Sequence, residues 1–180
     1  MSDKRAIEGL LVTPELAELG PGPRPGIQPE AALTRAVEAG LAGRKLASER
    51  QQLVRALVLL WHDHLDTAHR LAQEIENADG AFVHGIMHRR EPDYGNAAYW
   101  FRRVGGHGAF PALAKRTAGL LDAGEKELLA ELVRDGEWDP FGFIRACERA
   151  AGRPATEPQT RQLRAVQEAE SVTLLEWLLR

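Results

Sequence analysis

The stretch HGIMHRREPDYGNAAYWFRRVGGH, residues 84–107, decides how the middle of this chain folds. Pro92 disfavours helical geometry at the residue before it, and Asp93 is a good helix N-cap. A glycine pair at the end of the stretch then stops the second helix. We therefore predict two helices, over residues 81–91 and 94–104, joined by a tight turn.

The same helical periodicity extends outward in both directions. Apolar residues recur at helical spacing, and no segment shows the alternation of a half-buried strand. We expect one all-α domain over residues 1–180, a bundle of antiparallel helical hairpins. Residues 20–29, GPGPRPGIQP, predict an irregular connector. The other predicted helices cover residues 14–19 (capped by Thr13), 30–46, 49–61, 66–76, 110–122, 125–134, 140–151 (capped by Asp139) and 159–180.

The composition is that of an ordinary globular chain. Of 180 residues 44% are hydrophobic and 27% charged, and the net charge is −3, which gives no reason to expect nucleic-acid binding. No apolar run approaches the roughly 20 residues that span a bilayer, and no signal peptide is recognisable. Cys147 is the only cysteine, so no intramolecular disulfide can form, and we expect a cytoplasmic location. We expect its side chain to be packed in the fold. Leucines near the end of the closing helix suggest a homodimer as an alternative to docking on their own domain.

Residues 56–104 resemble a tetratricopeptide repeat. In that family a small residue lets two helices touch, and an alanine and an aromatic side chain fill the second helix. Histidines stand where the family places apolar or tyrosine residues in its first helix. The resemblance implies close packing of a helical hairpin. The matching positions are Gly85, Tyr94, Ala97, Phe101 and Val104, with an echo at Leu65, Ala68 and Ala72.

The central stretch also resembles a family of uncharacterised microbial proteins with the signature HxIMHRRExDYxNxxYWxRRVG. The resemblance covers residues 84–105 and implies no particular reaction. The matching positions are His84, Ile86, Met87, His88, Arg89, Arg90, Glu91, Asp93, Tyr94, Asn96, Tyr99, Trp100, Arg102, Arg103, Val104 and Gly105.

Two histidines and a glutamate on the first predicted helix of the stretch have the spacing of a metal site. His84, His88 and Glu91 are at i, i+4 and i+7 and therefore lie on one helix face. Asp66 and His69 on the preceding helix can complete a site for zinc, iron or manganese. The alternative is that these histidines are structural and satisfied at a helix–helix contact.

Four arginines flank the turn in two adjacent pairs, Arg89–Arg90 and Arg102–Arg103. Neighbours on a helix are about 100° apart, so we expect only one arginine of each pair to point inward. The inward pair can bind a carboxylate or phosphate. The predicted ligand-binding set is completed by Asp93, Asn96 and Trp100. The alternative is internal pairing, of Arg89 or Arg90 with Glu91 or Asp93, and of Arg102 or Arg103 with Asp63, Asp66 or Glu74.

Three functions follow as expectations. The first is a polar pocket that binds a small anionic molecule, with hydrolase or lyase chemistry carried by His84, His88, Glu91 and Tyr99, because neutral imidazole is a good base near pH 7. The second is a non-catalytic interaction module of helical-repeat type. The third is a histidine/carboxylate metalloenzyme.

Overall fold

The structure, a computed structural model, describes residues 2–121 and 124–180, and it confirms the all-α prediction. The helices are α1 Ser2–Glu8, α2 Glu30–Leu41, α3 Ser48–Trp61, α4 Leu65–Ala72, α5 Ala78–Arg90, α6 Tyr94–Val104, α7 Phe110–Leu120, α8 Lys126–Leu132, α9 Pro140–Ala150 and α10 Pro158–Leu178. A 3-10 turn covers Gly9–Leu11, and two short strands, β1 Val133–Arg134 and β2 Glu137–Trp138, form an antiparallel hairpin. No helix in the described part of the chain has the length and apolar character needed to cross a membrane.

Helix α5 lies at the centre of the domain and is buried on every side. Residues 80–90 are all buried, and the helix packs against α3, α4 and α6. Surface helices bury only one stripe, so complete burial is unusual for a helix that carries two histidines and two arginines. Buried polar groups need hydrogen-bond partners, and the partners of these four side chains define the site.

The α5–α6 hairpin forms where the sequence predicted it. Asp93 caps α6 by accepting a hydrogen bond from the backbone N–H of Asn96 at 3.1 Å. The two helices approach most closely at Gly85, where an added Cβ would lie 2.5 Å from the Phe101 ring. A side chain larger than glycine at position 85 would therefore force the helices apart.

The helix expected over residues 14–19 does not form, and that prediction was wrong. The segment is irregular, because α10 occupies its carbonyl groups: Arg164 donates to the carbonyls of Leu16 and Ala17, and Gln167 donates to that of Glu18. Thr13 caps nothing; its hydroxyl donates to the Glu15 carbonyl at 2.7 Å. Tertiary hydrogen bonds replace the helical ones.

Several predicted helix ends also move. Helix α2 stops at Leu41 instead of residue 46, and α4 covers Leu65–Ala72 instead of 66–76. Asn77 caps α5 by accepting from the Gly80 N–H at 2.9 Å. The leucines that suggested a homodimer, Leu175, Leu178 and Leu179, are buried within their own chain.

The β1–β2 hairpin was not predicted. Val133 pairs with Trp138, and the connecting residues Asp135 and Gly136 have φ values of 53° and 82°. Positive φ at both central positions is typical of a two-residue hairpin turn, for which Asp-Gly is a favoured sequence. The turn buries Trp138 against Phe143, with ring centroids 5.3 Å apart.

Candidate functional site

Three imidazoles from two neighbouring helices meet beside the α5–α6 hairpin, and we call them the histidine cluster: His69 of α4 with His84 and His88 of α5. The His69 ring centroid is 5.4 Å from that of His84 and 5.6 Å from that of His88. The His84 and His88 rings are nearly parallel, 6.3 Å apart. The structure therefore brings together three residues that the sequence placed on two separate helices.

His84 is held in one orientation by its backbone and by an indole. Its Nδ1 lies 3.1 Å from the Gly80 carbonyl, which can only accept, so Nδ1 carries the proton and Nε2 keeps a lone pair. Trp100 stacks on the imidazole with centroids 4.1 Å apart and planes 14° apart. Burial lowers the pKa of His84 to about 4, so this side chain is neutral at pH 7.

His88 forms a dyad with Glu91. Its Nδ1 lies 3.1 Å from Oε2 of Glu91, and the Asn96 side-chain amide lies 3.3 Å from its Nε2. A carboxylate on Nδ1 and an amide donor on Nε2 favour the tautomer protonated at Nδ1. Burial lowers the pKa of His88, and the charge of Glu91 offsets only part of that effect.

His69 is the least constrained member of the cluster. It is half-buried on α4, a helix of eight residues. Among the described residues its contacts are the edge-on ones to the two other imidazoles, and no hydrogen bond from its ring nitrogens is found. Both nitrogens therefore remain for a ligand or for solvent.

Arg89, predicted to bind a ligand, is instead occupied inside the protein. Its guanidinium donates to both carboxylate oxygens of Glu170 in α10, with Nη1 3.0 Å from Oε1, and the side chains of both residues are 0% exposed. The guanidinium carbon lies 4.2 Å from the Phe143 ring centre. Neither Glu91 nor Asp93 is its partner, because both are exposed on the surface turn.

Arg90 is also buried, which corrects the expectation that only one of two adjacent arginines points inward. It donates to Asp63 at 2.6 Å and to the carbonyls of Gly20 and Leu60. Arg24 of the connector contacts the same carboxylate at 2.5 Å. Because α5 is buried on all sides, Arg89 and Arg90 both find partners inside the protein, although they are adjacent in sequence and point in different directions.

Arg102 and Arg103 are exposed on α6. The Arg103 guanidinium lies 5.4 Å from the Trp100 ring centre and 5.9 Å from that of Tyr99, which is 46% exposed. Among the described residues no ion pair joins either arginine to the carboxylates proposed as partners. Arg103 is therefore an exposed cation beside the indole that stacks on His84.

A cleft of about 410 Å³ opens beside Glu91. It contains Asp66, which is exposed and, in the part of the chain that the structure describes, makes no hydrogen bond to the histidine cluster. The cleft is lined by Pro21, Glu30, Asp63, His64, Leu65, Asp66, Thr67 and Glu91.

The remaining histidines and the cysteine have structural surroundings. His62 lies 2.8 Å from the Leu10 carbonyl and accepts from the Gln28 N–H, and His107 pairs with Asp79 at 2.9 Å. Burial raises the pKa of Cys147 to about 12, so this thiol stays protonated.

The metal prediction named His69, His84, His88, Glu91 and Asp66. In residues 2–121 and 124–180, no group of three or more histidine, cysteine, aspartate or glutamate side chains is arranged, as it stands, to hold a metal ion. The ring centroids of three imidazoles on one tetrahedral zinc lie roughly 5 Å apart, given metal–nitrogen bonds of about 2.0–2.1 Å. The cluster is wider than this and must contract to close on an ion.

Sequence reasoning missed the partners that fix the site. Glu170 and Asp63 neutralise the buried arginines, and the Gly80 carbonyl sets the His84 tautomer. The Gly80 carbonyl could have been found, since it lies one helical turn before His84. Glu170 has no local signal, because it lies 81 residues from Arg89.

Comparisons with known proteins give no relative: no family model, no curated protein and no solved structure matches this chain.

Proposed function

We propose that the histidine cluster binds a divalent transition-metal ion, with zinc the preferred ion, through His69, His84 and His88. The observation that carries the proposal is the mutual approach of three imidazoles from two helices, with centroid separations of 5.4, 5.6 and 6.3 Å. Three imidazoles are a common protein ligand set for zinc when a fourth position is left for water or substrate.

The protonation of the cluster supports this proposal. A metal binds the neutral imidazole, and burial keeps His84 and His88 neutral by lowering the pKa of each. The Nδ1 atom of each faces an acceptor, the Gly80 carbonyl for one and the Glu91 carboxylate for the other. Such contacts orient metal-binding histidines and leave Nε2 of His84 as a donor to the ion. Nε2 of His88 accepts from the Asn96 amide and would have to exchange that contact for the ion.

Closure of the cluster requires a movement of roughly 1 Å, from the present separations to about 5 Å. His69 is free to move, because it is half-buried and without a hydrogen bond in the described structure. His84 is fixed by Trp100 and Gly80. The widest separation, 6.3 Å, joins His84 and His88, so the expected change on binding is a shift of both the His69 and His88 rings toward His84. A bound divalent ion would supply a water of lowered pKa, the chemistry of hydrolytic metal sites.

The test is metal binding by the purified, untagged chain. We expect about one zinc per chain in competition with a chromophoric chelator, and cobalt to give the visible absorption of a four-coordinate site. His69→Ala should lose this binding and keep its thermal unfolding midpoint in the absence of metal. His64→Ala is the matched control, since His64 is a half-buried histidine outside the cluster whose imidazole bonds to the Gln28 carbonyl.

Two outcomes would contradict the proposal. One is the absence of stoichiometric binding of zinc, cobalt, iron and manganese by the wild-type protein. The other is wild-type affinity in His69→Ala, which would place the ion elsewhere. His84→Ala and His88→Ala should also lose the ion, but both side chains are buried, so their unfolding midpoints must be measured beside their affinities.

A small anionic ligand is the second candidate, and one observation favours it. Arg103 is exposed and lies 5.4 Å from the centre of the indole that stacks on His84. An anion held by Arg103 would lie close to Trp100, whose ring stacks on His84 of the cluster. Stabilisation by phosphate or benzoate in a thermal-shift titration should then be lost in Arg103→Met and kept in Arg35→Met, which removes an exposed arginine of α2. The interaction-module hypothesis stays a prediction.

A further inference from the structure

An open groove of about 360 Å³ lies between α7 and α10. Most of its lining is hydrocarbon or bare backbone, and its two uncharged residues from α7 are exposed at the surface. Its volume is within the range of small-molecule sites, which are mostly apolar with a few polar groups. We call it the α7–α10 groove. The uncharged lining residues are Gly119 and Leu120 of α7 and Ala165, Ala169 and Val172 of α10.

Two charged side chains complete the lining, and one of them, Arg116, is already occupied. Its Nη1 donates to the Thr173 hydroxyl at 3.0 Å, and its Nη2 donates to the Glu176 carboxylate at 2.7 Å. Both partners lie on α10, so the guanidinium joins the two helices that form the groove. The charge of Arg116 is therefore balanced by Glu176.

Glu168 is the other charged lining residue, and in the described ranges, 2–121 and 124–180, its carboxylate makes no hydrogen bond or ion pair. The side chain is half-buried on α10. Burial raises the pKa of Glu168, because withdrawal from water penalises the charged form. A partly buried charge without a partner costs free energy, and a cation in the groove would reduce that cost. The groove therefore combines apolar walls with one unbalanced negative charge.

We propose that the α7–α10 groove binds a small organic cation, a primary ammonium group carried on an apolar body. The ammonium group would donate to the Glu168 carboxylate, and the hydrocarbon body would cover Leu120 and Val172. A neutral or anionic molecule would leave the charge of Glu168 unbalanced, and for this reason the ligand class is cationic. The proposal is independent of the histidine cluster, which shares no residue with the groove.

The experiment titrates n-hexylammonium chloride, at constant ionic strength, into protein labelled with ¹³C at its alanine, leucine and valine methyl groups. n-Hexanol, which has the same hydrocarbon chain without the charge, is the neutral comparison. We expect saturable shifts of the methyl resonances of Leu120, Ala165, Ala169 and Val172. The ammonium compound should bind about tenfold more tightly than the alcohol, because a charge-assisted hydrogen bond adds to the shared apolar contact.

Two variants of the groove separate the charge from the apolar contact. Glu168→Gln keeps the shape of the side chain and should weaken the binding of hexylammonium about tenfold, to that of hexanol. Glu148→Gln removes an equal charge from an exposed glutamate of α9 and should bind as the wild type does. Gly119→Leu should abolish the binding of both molecules, since an added Cβ there meets open space and its side chain would fill the groove. Gly9 has equally open surroundings outside the groove, so Gly9→Leu is the control for that change.

Four results would overturn the proposal. The first is the absence of a saturable shift of the groove methyl resonances in the wild type, and the second is equal affinity for hexylammonium and hexanol. The third is wild-type affinity for hexylammonium in Glu168→Gln, with methyl resonances outside the groove showing that the variant is folded. The fourth is movement of the groove resonances when the ligand-free protein is diluted, which would assign the groove to a second copy of the chain.

Discussion

Replacement of Arg89 by methionine tests whether this arginine is structural or ligand-binding. Methionine keeps an apolar stem of similar length and removes the guanidinium. Glu170 would then be left without its partner at a position that is 0% exposed. Removing one partner of a buried ion pair costs about 3–5 kcal/mol. For a chain of this size, a loss of that order lowers the thermal midpoint by about 2–4 °C for each kcal/mol.

A double-mutant cycle separates the interaction energy between Arg89 and Glu170 from the effect of changing each side chain alone. Replacing both Arg89 and Glu170 by methionine removes the uncompensated charge, and buried ion pairs are often exchanged for apolar pairs at little cost. We therefore expect the double variant to be far more stable than the sum of the two single losses predicts. The free energies come from urea denaturation followed by circular dichroism, with the slope compared among the four proteins.

Two results would refute this reasoning. If Arg89→Met lowered the free energy of unfolding by less than about 1 kcal/mol, the loss would be too small for the removal of a buried, paired charge. Losses in the double variant that equal the sum of the single losses would show that the two side chains act independently. Either result would return Arg89 to the set of candidate ligand-binding residues.

Three further expectations concern stability. Gly85→Ala should destabilise the protein by about 1–3 kcal/mol in urea denaturation, because its Cβ would meet the Phe101 ring at 2.5 Å. Burial lowers the pKa of His62 in the folded protein. As pH falls below about 6.5, His62 is therefore protonated in the unfolded state before it is protonated in the folded state. The free energy of unfolding decreases from that pH down to the pKa of His62 in the folded protein. His62→Gln should therefore reduce the slope of stability against pH below about pH 6.5, by up to about 1.4 kcal/mol per pH unit. Asp139→Ala should cost about 1 kcal/mol, because its carboxylate accepts from the N–H groups of Phe141 and Gly142 at the start of α9.

Each of these expectations has its control. Gly119→Ala, in α7 and with open space at its Cβ, should leave stability unchanged or raise it. A pH slope in His62→Gln equal to that of the wild type would show that the imidazole is not kept neutral in the fold. Asp139→Asn keeps an acceptor and should lose less than Asp139→Ala, and equal losses would rule out the cap as the cause.

The central hairpin could be predicted because its signals are local. Pro92 and Asp93 separate the two helices, and α6 begins and ends where those signals place it. The same was true of α9, whose cap Asp139 was predicted. The β1–β2 turn also had a local signal, Asp135-Gly136, and it was missed because the flanking strands have two residues each.

The site could be predicted only in part, because half of its determinants are distant in sequence. The i, i+4 spacing identified His84 and His88, and the preceding helix pointed to His69. The roles of Arg89 and Arg90 depend on partners 81 and 27 residues away, and no pattern on α5 indicates them. The segment at residues 14–19 shows the same limit, since α10 overrides its local helical preference.

The contact between the segment at residues 16–18 and α10 has a consequence for the order in which parts of the chain fold. Arg164 and Gln167 hold that segment across about 150 residues of chain. A ribosome releases the segment long before it synthesises the helix that binds it, at about 5–20 residues per second. The hairpins in the middle of the chain can pair during translation, whereas the first segment docks only after α10 has emerged. Docking of the first segment is therefore among the last steps in the folding of residues 1–180.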